Sequence, residues 1–191
     1  MIKAGYNERT RVVDMLINSF DDNKSVNYII QAGKFRKQRI KRLMEYSFDT
    51  CLLFGDVYLS EDKKGCALIL LPEKKRMTMQ SIWLDIKLIF TCIGLLRLKK
   101  VMMREAKVKK LQLKERSCYL WYIGVHRDYQ NSGIGTELLK EIIEQSKTES
   151  RTICLETSAL KNLPWYKKFG FVVYNELDIG YPLYFLQLPP I

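Results

Sequence analysis

The residues best suited to chemistry lie in one stretch of the chain, from Tyr119 to Leu139. It is predicted to form a strand, a polar turn with two glycines, and then a helix. The N–H groups of a first helical turn have no partner inside the helix, and the helix dipole adds positive charge there. Gly133 and Gly135 would let an anion approach the backbone without meeting a Cβ atom. This pattern is typical of a phosphate-binding loop.

Two common phosphate-binding loops are excluded by the spacing of these glycines. A Walker A loop needs a lysine directly after its last glycine, and none follows Gly135. A dinucleotide-binding fingerprint needs a third glycine three positions after the second, and Leu138 stands there instead. The glycine pair alone therefore indicates either a different kind of phosphate-binding loop or a simple turn at the start of a helix.

The stretch resembles the acetyl-CoA signature of the GNAT superfamily of acetyltransferases, Q/R-x-x-G-x-G/A, which stands here as residues 130–135. A second signature of the same superfamily, Y-x-x-x-G-F, follows at residues 166–171. Both occur in the expected order, and the close resemblance covers residues 117–176. It departs from the usual pattern at Arg127, where proline is frequent, and at Asn131-Ser132, where Gly-Lys is frequent.

The resemblance implies a mixed, mostly antiparallel and twisted sheet of about six or seven strands with helices on both faces, an α/β (α+β) fold. It also implies acetyl-CoA as cosubstrate, with no metal, and an amine as acceptor. The strand before the loop would separate from its neighbour, so that backbone groups of Ile123 and Val125 bind the pantetheine arm. The side chain of Asn162 would contact the same arm. The pyrophosphate would be held by the loop, at Gln130, Asn131, Ser132, Gly133, Ile134, Gly135 and Thr136.

Transfer of an acetyl group to an amine calls for an acid and a base. The resemblance places Tyr166 beside the thioester sulfur, and a phenol with a pKa of about 10 can protonate a departing thiolate while staying neutral at pH 7. The base is less evident. If the strand alternates regularly, Tyr119 and Trp121 share a face with Ile123 and Val125, where relatives place His or Glu. Glu156 on the following strand is the candidate base, with a structural hydrogen-bonding role as its alternative, and His126 is a weaker candidate.

The surrounding elements are predicted from hydrophobic periodicity. Helices are expected over 7–19 and 26–35, continuing through residues 40–44. A hairpin is expected over 50–59 and 66–71, and a helix over 79–113 that bends or breaks at Gly94. Strands at 117–125, 152–157, 171–176 and 181–188 alternate with helices at 133–146 and 163–169. We interpret residues 1–191 as a single acetyltransferase domain.

Composition narrows the setting of the protein. The N-terminal residues lack the apolar core of a secretory signal, and the longest apolar run, residues 82–98, contains Asp85 and Lys87 and is too short to span a bilayer. We expect a packed helix there, with an interfacial membrane helix as the alternative. The chain has five widely spaced cysteines and one histidine, which argues against a zinc site and favours a reducing, cytoplasmic setting.

The net charge of +11 is confined to one part of the chain. Residues 1–116 have 25 Lys and Arg against 13 Asp and Glu, whereas residues 117–191 have 7 against 8. The excess is concentrated at 34–42 and 97–116, which are either solvated helix faces or a surface for an anionic partner. Besides an N-acetyltransferase with a small-molecule or peptide acceptor, the sequence admits a non-catalytic acyl-CoA-binding module. A nucleic-acid-binding protein is a weaker alternative, because no binding motif is present, and a homodimer stays open.

Overall fold

The computed structural model describes residues 1–113 and 116–189 of the chain. Its sheet has seven strands in the order β1-β2-β3-β4-β5-β7-β6, and every neighbouring pair is antiparallel except β4 and β5. The strands are β1 (Ile2–Lys3), β2 (Gly55–Leu59), β3 (Gly65–Leu70), β4 (Ser117–Val125), β5 (Thr152–Thr157), β6 (Val172–Asp178) and β7 (Pro182–Leu188). The predicted mixed, mostly antiparallel sheet is thus confirmed.

Seven α-helices surround this sheet in the described residues. They are α1 (Arg9–Phe20), α2 (Lys24–Ile29), α3 (Arg36–Phe54), α4 (Met79–Leu88), α5 (Leu95–Leu111), α6 (Ile134–Thr148) and α7 (Leu163–Lys168). Buried side chains of α1 and α3 pack on one face of the sheet. Those of α6 and α7 pack on the other face. The sheet is therefore covered by helices on both faces, as expected.

The predicted strand over residues 50–59 is wrong in its first half, because α3 continues to Phe54. Its buried side chains recur every three or four residues through Phe48, Cys51 and Phe54, so the core-facing stripe of the helix outweighs the β-branched and aromatic composition of this segment. Gly55 then begins β2. An added Cβ at Gly55 would lie 2.0 Å from the carbonyl oxygen of Ile69, so glycine is required where the helix gives way to the strand.

The predicted helix over 26–35 is also too long, since α2 ends at Ile29 and Ile30 is already extended. Gly33 follows with a φ of 117°, a conformation that interrupts a helix. The expected break at Gly94 is confirmed: α4 continues as a π-helical turn, Ile89–Ile93, and Gly94 has a φ of 79° before α5 starts. The short β1, paired with β2, was not predicted.

A long segment separates two strands that pair directly with each other. β3 ends at Leu70 and its antiparallel neighbour β4 begins at Ser117, although an ordinary hairpin connection needs only two to five residues. We call residues 72–113 the inserted segment; it contains α4, the π-helical turn and α5. Within the described residues, no helix has the length and apolar character needed to cross a membrane.

Candidate active site

The two parallel strands at the centre of the sheet separate along their length. β4 pairs with β5 only from Ser117↔Thr152 to Tyr119↔Cys154, while β4 continues to Val125 and β5 to Thr157. Beyond this point β4 and β5 no longer pair with each other through backbone hydrogen bonds. Backbone N–H and C=O groups there need another partner, such as a ligand or water. Ile123 and Val125 both lie in the separated part of β4, as expected.

A β-bulge lies at the start of the separation. Leu68 pairs with Tyr122 and Ile69 with Leu120, so Trp121 is the extra residue on β4. The bulge makes the predicted common face of residues 119, 121, 123 and 125 wrong: Tyr119 and Trp121 pack with the α1 and α3 core, whereas Ile123 packs with the α6 and α7 core. A bulge reverses side-chain alternation because two residues on one strand oppose one on the other.

The loop after β4 delivers the chain to the N-terminus of α6. Asn131 and Gly133 both have positive φ, 63° and 91°, and Gly133 is the N-cap of the helix. Nothing lies within 4 Å of where a Cβ of Gly133 would stand, and at Gly135 only Val125 Cγ2 does, at 3.4 Å. Residues 130–133 are exposed. The first amides of α6 thus face open space, with room for an anion.

Neighbouring side chains fix the shape of this loop. The carbonyl of Val125 accepts a hydrogen bond from Ser19 Oγ at 3.0 Å, and Ser132 Oγ donates to the carbonyl of Tyr129 at 2.5 Å. Lys64, from the turn between β2 and β3, places its Nζ 3.9 Å from the centre of the Tyr129 ring. Lys64 therefore brings a cation to the loop, where the sequence has Asn131-Ser132 in place of a frequent Gly-Lys.

Helix α7 faces the start of α6, because Trp165 Nε1 donates to Thr136 Oγ1 at 3.2 Å. Tyr166 follows Trp165 and is buried, with its ring 5.6 Å from that of Phe171. Burial raises the pKa of the Tyr166 phenol, so the hydroxyl is protonated at neutral pH. Asn162 is the N-cap residue of α7 but makes no capping hydrogen bond through its side chain. The second signature is thus placed beside the loop of the first.

Glu156 lies on β5, two residues beyond the last pair with β4. Gln112, at the end of the inserted segment, donates from Nε2 to Glu156 Oε1 at 2.8 Å. Burial raises the pKa of Glu156 from 4.5 to about 7, against the opposing effects of the Gln112 hydrogen bond and the Arg104 charge. A carboxyl group with this pKa exchanges a proton readily near neutral pH.

His126 has a local structural role. Its Nδ1 accepts from the backbone N–H of Asp128 at 3.4 Å and caps the turn Arg127–Tyr129. The five cysteines are all buried and free. Among the described residues, no group of three or more His, Cys, Asp or Glu side chains is arranged to hold a metal ion.

Sequence reasoning missed three side chains at this site: Ser19, Lys64 and Gln112. Each reaches the site from an element distant in the chain, and Gln112 is 44 positions from its partner Glu156. None lies in a motif. The sheet topology, which brings the turn before β3 and the end of the inserted segment to β4 and β5, could have identified Lys64 and Gln112, whereas Ser19 reaches Val125 from α1.

The fold and the site together define an α/β protein with a separated central strand pair and a helix N-terminus at the opening. Residues 91–173 match the family model of the acetyltransferase (GNAT) domain. The resemblance to the GNAT superfamily is thus confirmed, and the matched residues include both signatures.

Solved structures with the same fold span the whole chain. An acetyltransferase from Corynebacterium glutamicum, related to a histone acetyltransferase, has 16% identity and a TM-score of 0.71 over 100% of this chain and 95% of its own. Arylalkylamine N-acetyltransferase 2 from Aedes aegypti has 14% identity and a TM-score of 0.62 over 100% and 98%. The C-terminal condensation domain of Ebony, in complex with β-alanyl-dopamine, has 8% identity and a TM-score of 0.71 over 98% and 97%.

Proposed function

We propose that this protein is an N-acetyltransferase that moves an acetyl group from acetyl-CoA to a primary amine by direct attack in a ternary complex. The observation that carries the proposal is the separation of β4 from β5 directly beside the exposed N-terminus of α6. A gap between strands suits an extended arm with amide groups, and a helix N-terminus suits a pyrophosphate. Acetyl-CoA has both parts in one molecule.

The residues present fit this cosubstrate. The open space around Gly133 and the absence of a side chain at Gly135 leave the first amides of α6 accessible to phosphate oxygens. Lys64 adds a cation within reach of the loop. Backbone groups on the unpaired edge of β4 around Ile123 can form hydrogen bonds with the amides of the pantetheine arm. The side chain of Asn162, which makes no capping hydrogen bond, can contact the same arm from the N-terminus of α7. When bound, acetyl-CoA supplies the acetyl group as an activated thioester.

Glu156 is proposed as the base. An amine acceptor is an ammonium ion at neutral pH and must lose a proton before its nitrogen can attack. With a pKa of about 7, the Glu156 carboxylate can accept that proton directly or through one water molecule. A negative charge in the gap also favours a cationic acceptor over a neutral one.

Tyr166 is proposed as the acid. Its phenol is held protonated by burial, and the helix that carries it contacts the start of α6 through Trp165, which supports a place for Tyr166 close to the bound cosubstrate. From there the hydroxyl can donate its proton to the departing thiolate of coenzyme A, whose own conjugate acid is a thiol. The two residues thus divide the proton transfers, with Glu156 on the acceptor side and Tyr166 on the thiol side.

The experiment has two stages. Acetyl-CoA should raise the melting temperature of the protein, because only the folded loop can bind it; at about a hundred times the dissociation constant the gain is about 3 kcal/mol. Release of coenzyme A thiol is then measured with amines, arylalkylamines, polyamines and peptide N-termini as acceptors. Stabilisation without thiol release from any acceptor would favour the acyl-CoA-binding module, and no stabilisation would contradict the proposal.

A further inference from the structure

The inserted segment carries most of the net positive charge of the protein. Residues 72–113 contain 11 Lys and Arg but only 3 Asp and Glu, a net charge of +8 out of +11. The three acids are engaged locally: Glu73 with Arg151, Asp85 with the Tyr46 hydroxyl and Glu105 with Arg104. Most of its lysines are exposed. The outer surface of the segment therefore presents cations to solvent.

Helix α4 is apolar on the side that points away from the core. Its inner side rests on the core through Leu88, and Asp85 bonds to Tyr46 of α3. At 3.6 residues per turn, four large apolar residues of α4 lie within an arc of about 100° on the other side, and a fifth follows in the π-helical turn. They are Met79, Ile82, Trp83 and Ile86, followed by Phe90, and all five are exposed, Trp83 by 65% and Phe90 by 67%. A contiguous exposed apolar patch of this kind is typical of an interaction site.

Helix α5 repeats the pattern with lysines added. Its inner side buries Val101, Arg104 and Val108. The opposite arc, about 120° wide at 3.6 residues per turn, holds exposed apolar and basic residues together. They are Leu95, Leu96, Met102, Met103, Lys99 and Lys110, and Leu96 is 98% exposed. This arc contains no acidic residue, because Glu105 lies to one side of it.

From these faces we propose that the inserted segment docks on an anionic phospholipid surface. Apolar side chains of α4 and α5 enter the boundary between headgroups and acyl chains, while the lysines bind the phosphate headgroups. Trp83 is a residue type suited to that boundary. A second copy of the chain fits less well, since two faces of net charge +8 repel each other. A nucleic acid would use the lysines but leave the apolar stripe of α4 in water.

The arginines of the first basic stretch are held by local hydrogen bonds. In residues 34–42, Arg36 bonds to Asp21 and Asn27, Arg39 to two backbone carbonyls and Arg42 to Glu45. These guanidinium groups hold the loop after α2 and the start of α3. The three arginines at 34–42 thus have a structural use, while Lys34, Lys37 and Lys41 of the same stretch are exposed. Residues 114–115 of the other basic stretch lie outside the described residues.

The test is flotation of the full-length protein with vesicles. We expect binding to an equimolar mixture of phosphatidylcholine and phosphatidylglycerol, little binding to phosphatidylcholine alone, and weakening by salt. Trp83→Ser with Phe90→Ser should reduce the affinity at least about 10-fold, whereas Val172→Ser, at an exposed valine of β6, should leave it unchanged. Lys99→Glu with Lys110→Glu should reduce it about 30-fold, at about 1 kcal/mol for each basic residue removed.

A second readout does not depend on loss of binding. Anionic vesicles should shift the tryptophan emission of the parent to shorter wavelength, and Trp83→Phe should remove that shift while retaining binding. The melting temperature of each variant without ligand verifies the fold and is independent of both proposals. No binding to anionic vesicles, equal binding to both vesicle types, or self-association that Trp83→Ser abolishes would each overturn the docking proposal.

Discussion

The carboxyl group of Glu156 offers a test that needs no knowledge of the acceptor. Its pKa is raised from 4.5 to about 7 by burial, so the folded state holds the proton more tightly than the unfolded chain does. The stability that this proton contributes is complete below about pH 4.5 and is lost as the pH rises through about 7. Replacing Glu156 by Gln keeps the shape and removes the ionisation, so the variant should escape that loss.

The magnitude follows from the shift. A change of about 2.5 pKa units corresponds to about 3 kcal/mol between the protonated and ionised forms in the folded state. Glu156 is half-buried and keeps some contact with water, so we expect about 2 kcal/mol between about pH 5 and pH 8. For a chain of this length that is a change of about 4–8 °C in melting temperature. The melting temperature of Glu156→Gln minus that of the parent should therefore be larger at pH 8 than at pH 5 by this amount.

The assay is thermal unfolding of both proteins across this pH range, followed by far-UV circular dichroism. Taking the difference between variant and parent cancels the titration of every other group. Glu176→Gln, at an exposed carboxylate on β6, is the matched control and should give a small difference at either pH. If the Glu156→Gln difference is equally independent of pH, the carboxyl group is not desolvated, and the reason for proposing it as a base near pH 7 disappears.

Three further predictions concern turnover and cosubstrate binding. Tyr166→Phe should lower kcat about 10²–10⁴-fold with acetyl-CoA affinity retained, while Tyr58→Phe, on β2 and separated from β4 by β3, should not. An unchanged kcat with chemistry rate-limiting would remove Tyr166 from the mechanism. Gly135→Val should weaken acetyl-CoA binding roughly 10-fold or more, by titration, with little change in the unliganded melting temperature, and equal affinity would make the loop a simple turn. Gln112→Leu removes a hydrogen bond that lowers the pKa of Glu156, so the acidic limb of the pH profile of kcat/KM should move to higher pH. If that limb does not move, Gln112 does not set the pKa of the catalytic base.

Much of the fold could be predicted because its signals are local. The β4–loop–α6 unit follows from alternation, two glycines and helical periodicity within about twenty residues. The break at Gly94 and the order of the later strands follow from the same kind of signal. The sequence-based predictions were wrong where tertiary packing outweighed the local sequence pattern. Residues 50–54 have strand composition but continue the buried stripe of α3, and regular alternation in β4 is broken by a bulge at Trp121 that has no local signal.

The candidate site divides in the same way. Its proposed cosubstrate side comes from contiguous motifs, so Gly133, Gly135 and Tyr166 could be named as candidates from the sequence. The proton-accepting side could be predicted only in part. Glu156 could be named as a carboxylate on the next strand, but its raised pKa arises from burial under an inserted segment whose path the sequence does not encode locally.

Gln112 shows why the inserted segment matters for both proposals. Its amide reaches Glu156 only because α5 crosses to the far part of the sheet, where Val108 packs with Leu183 and Phe185 of β7. The inner face of α5 therefore fixes the orientation of the proposed base, while its outer face is free to carry lysines and exposed apolar residues. Substitutions on the outer face should alter surface binding without moving Gln112, and substitutions at Val108 should disturb the base without altering the outer charge. The two functions can thus be separated on one helix.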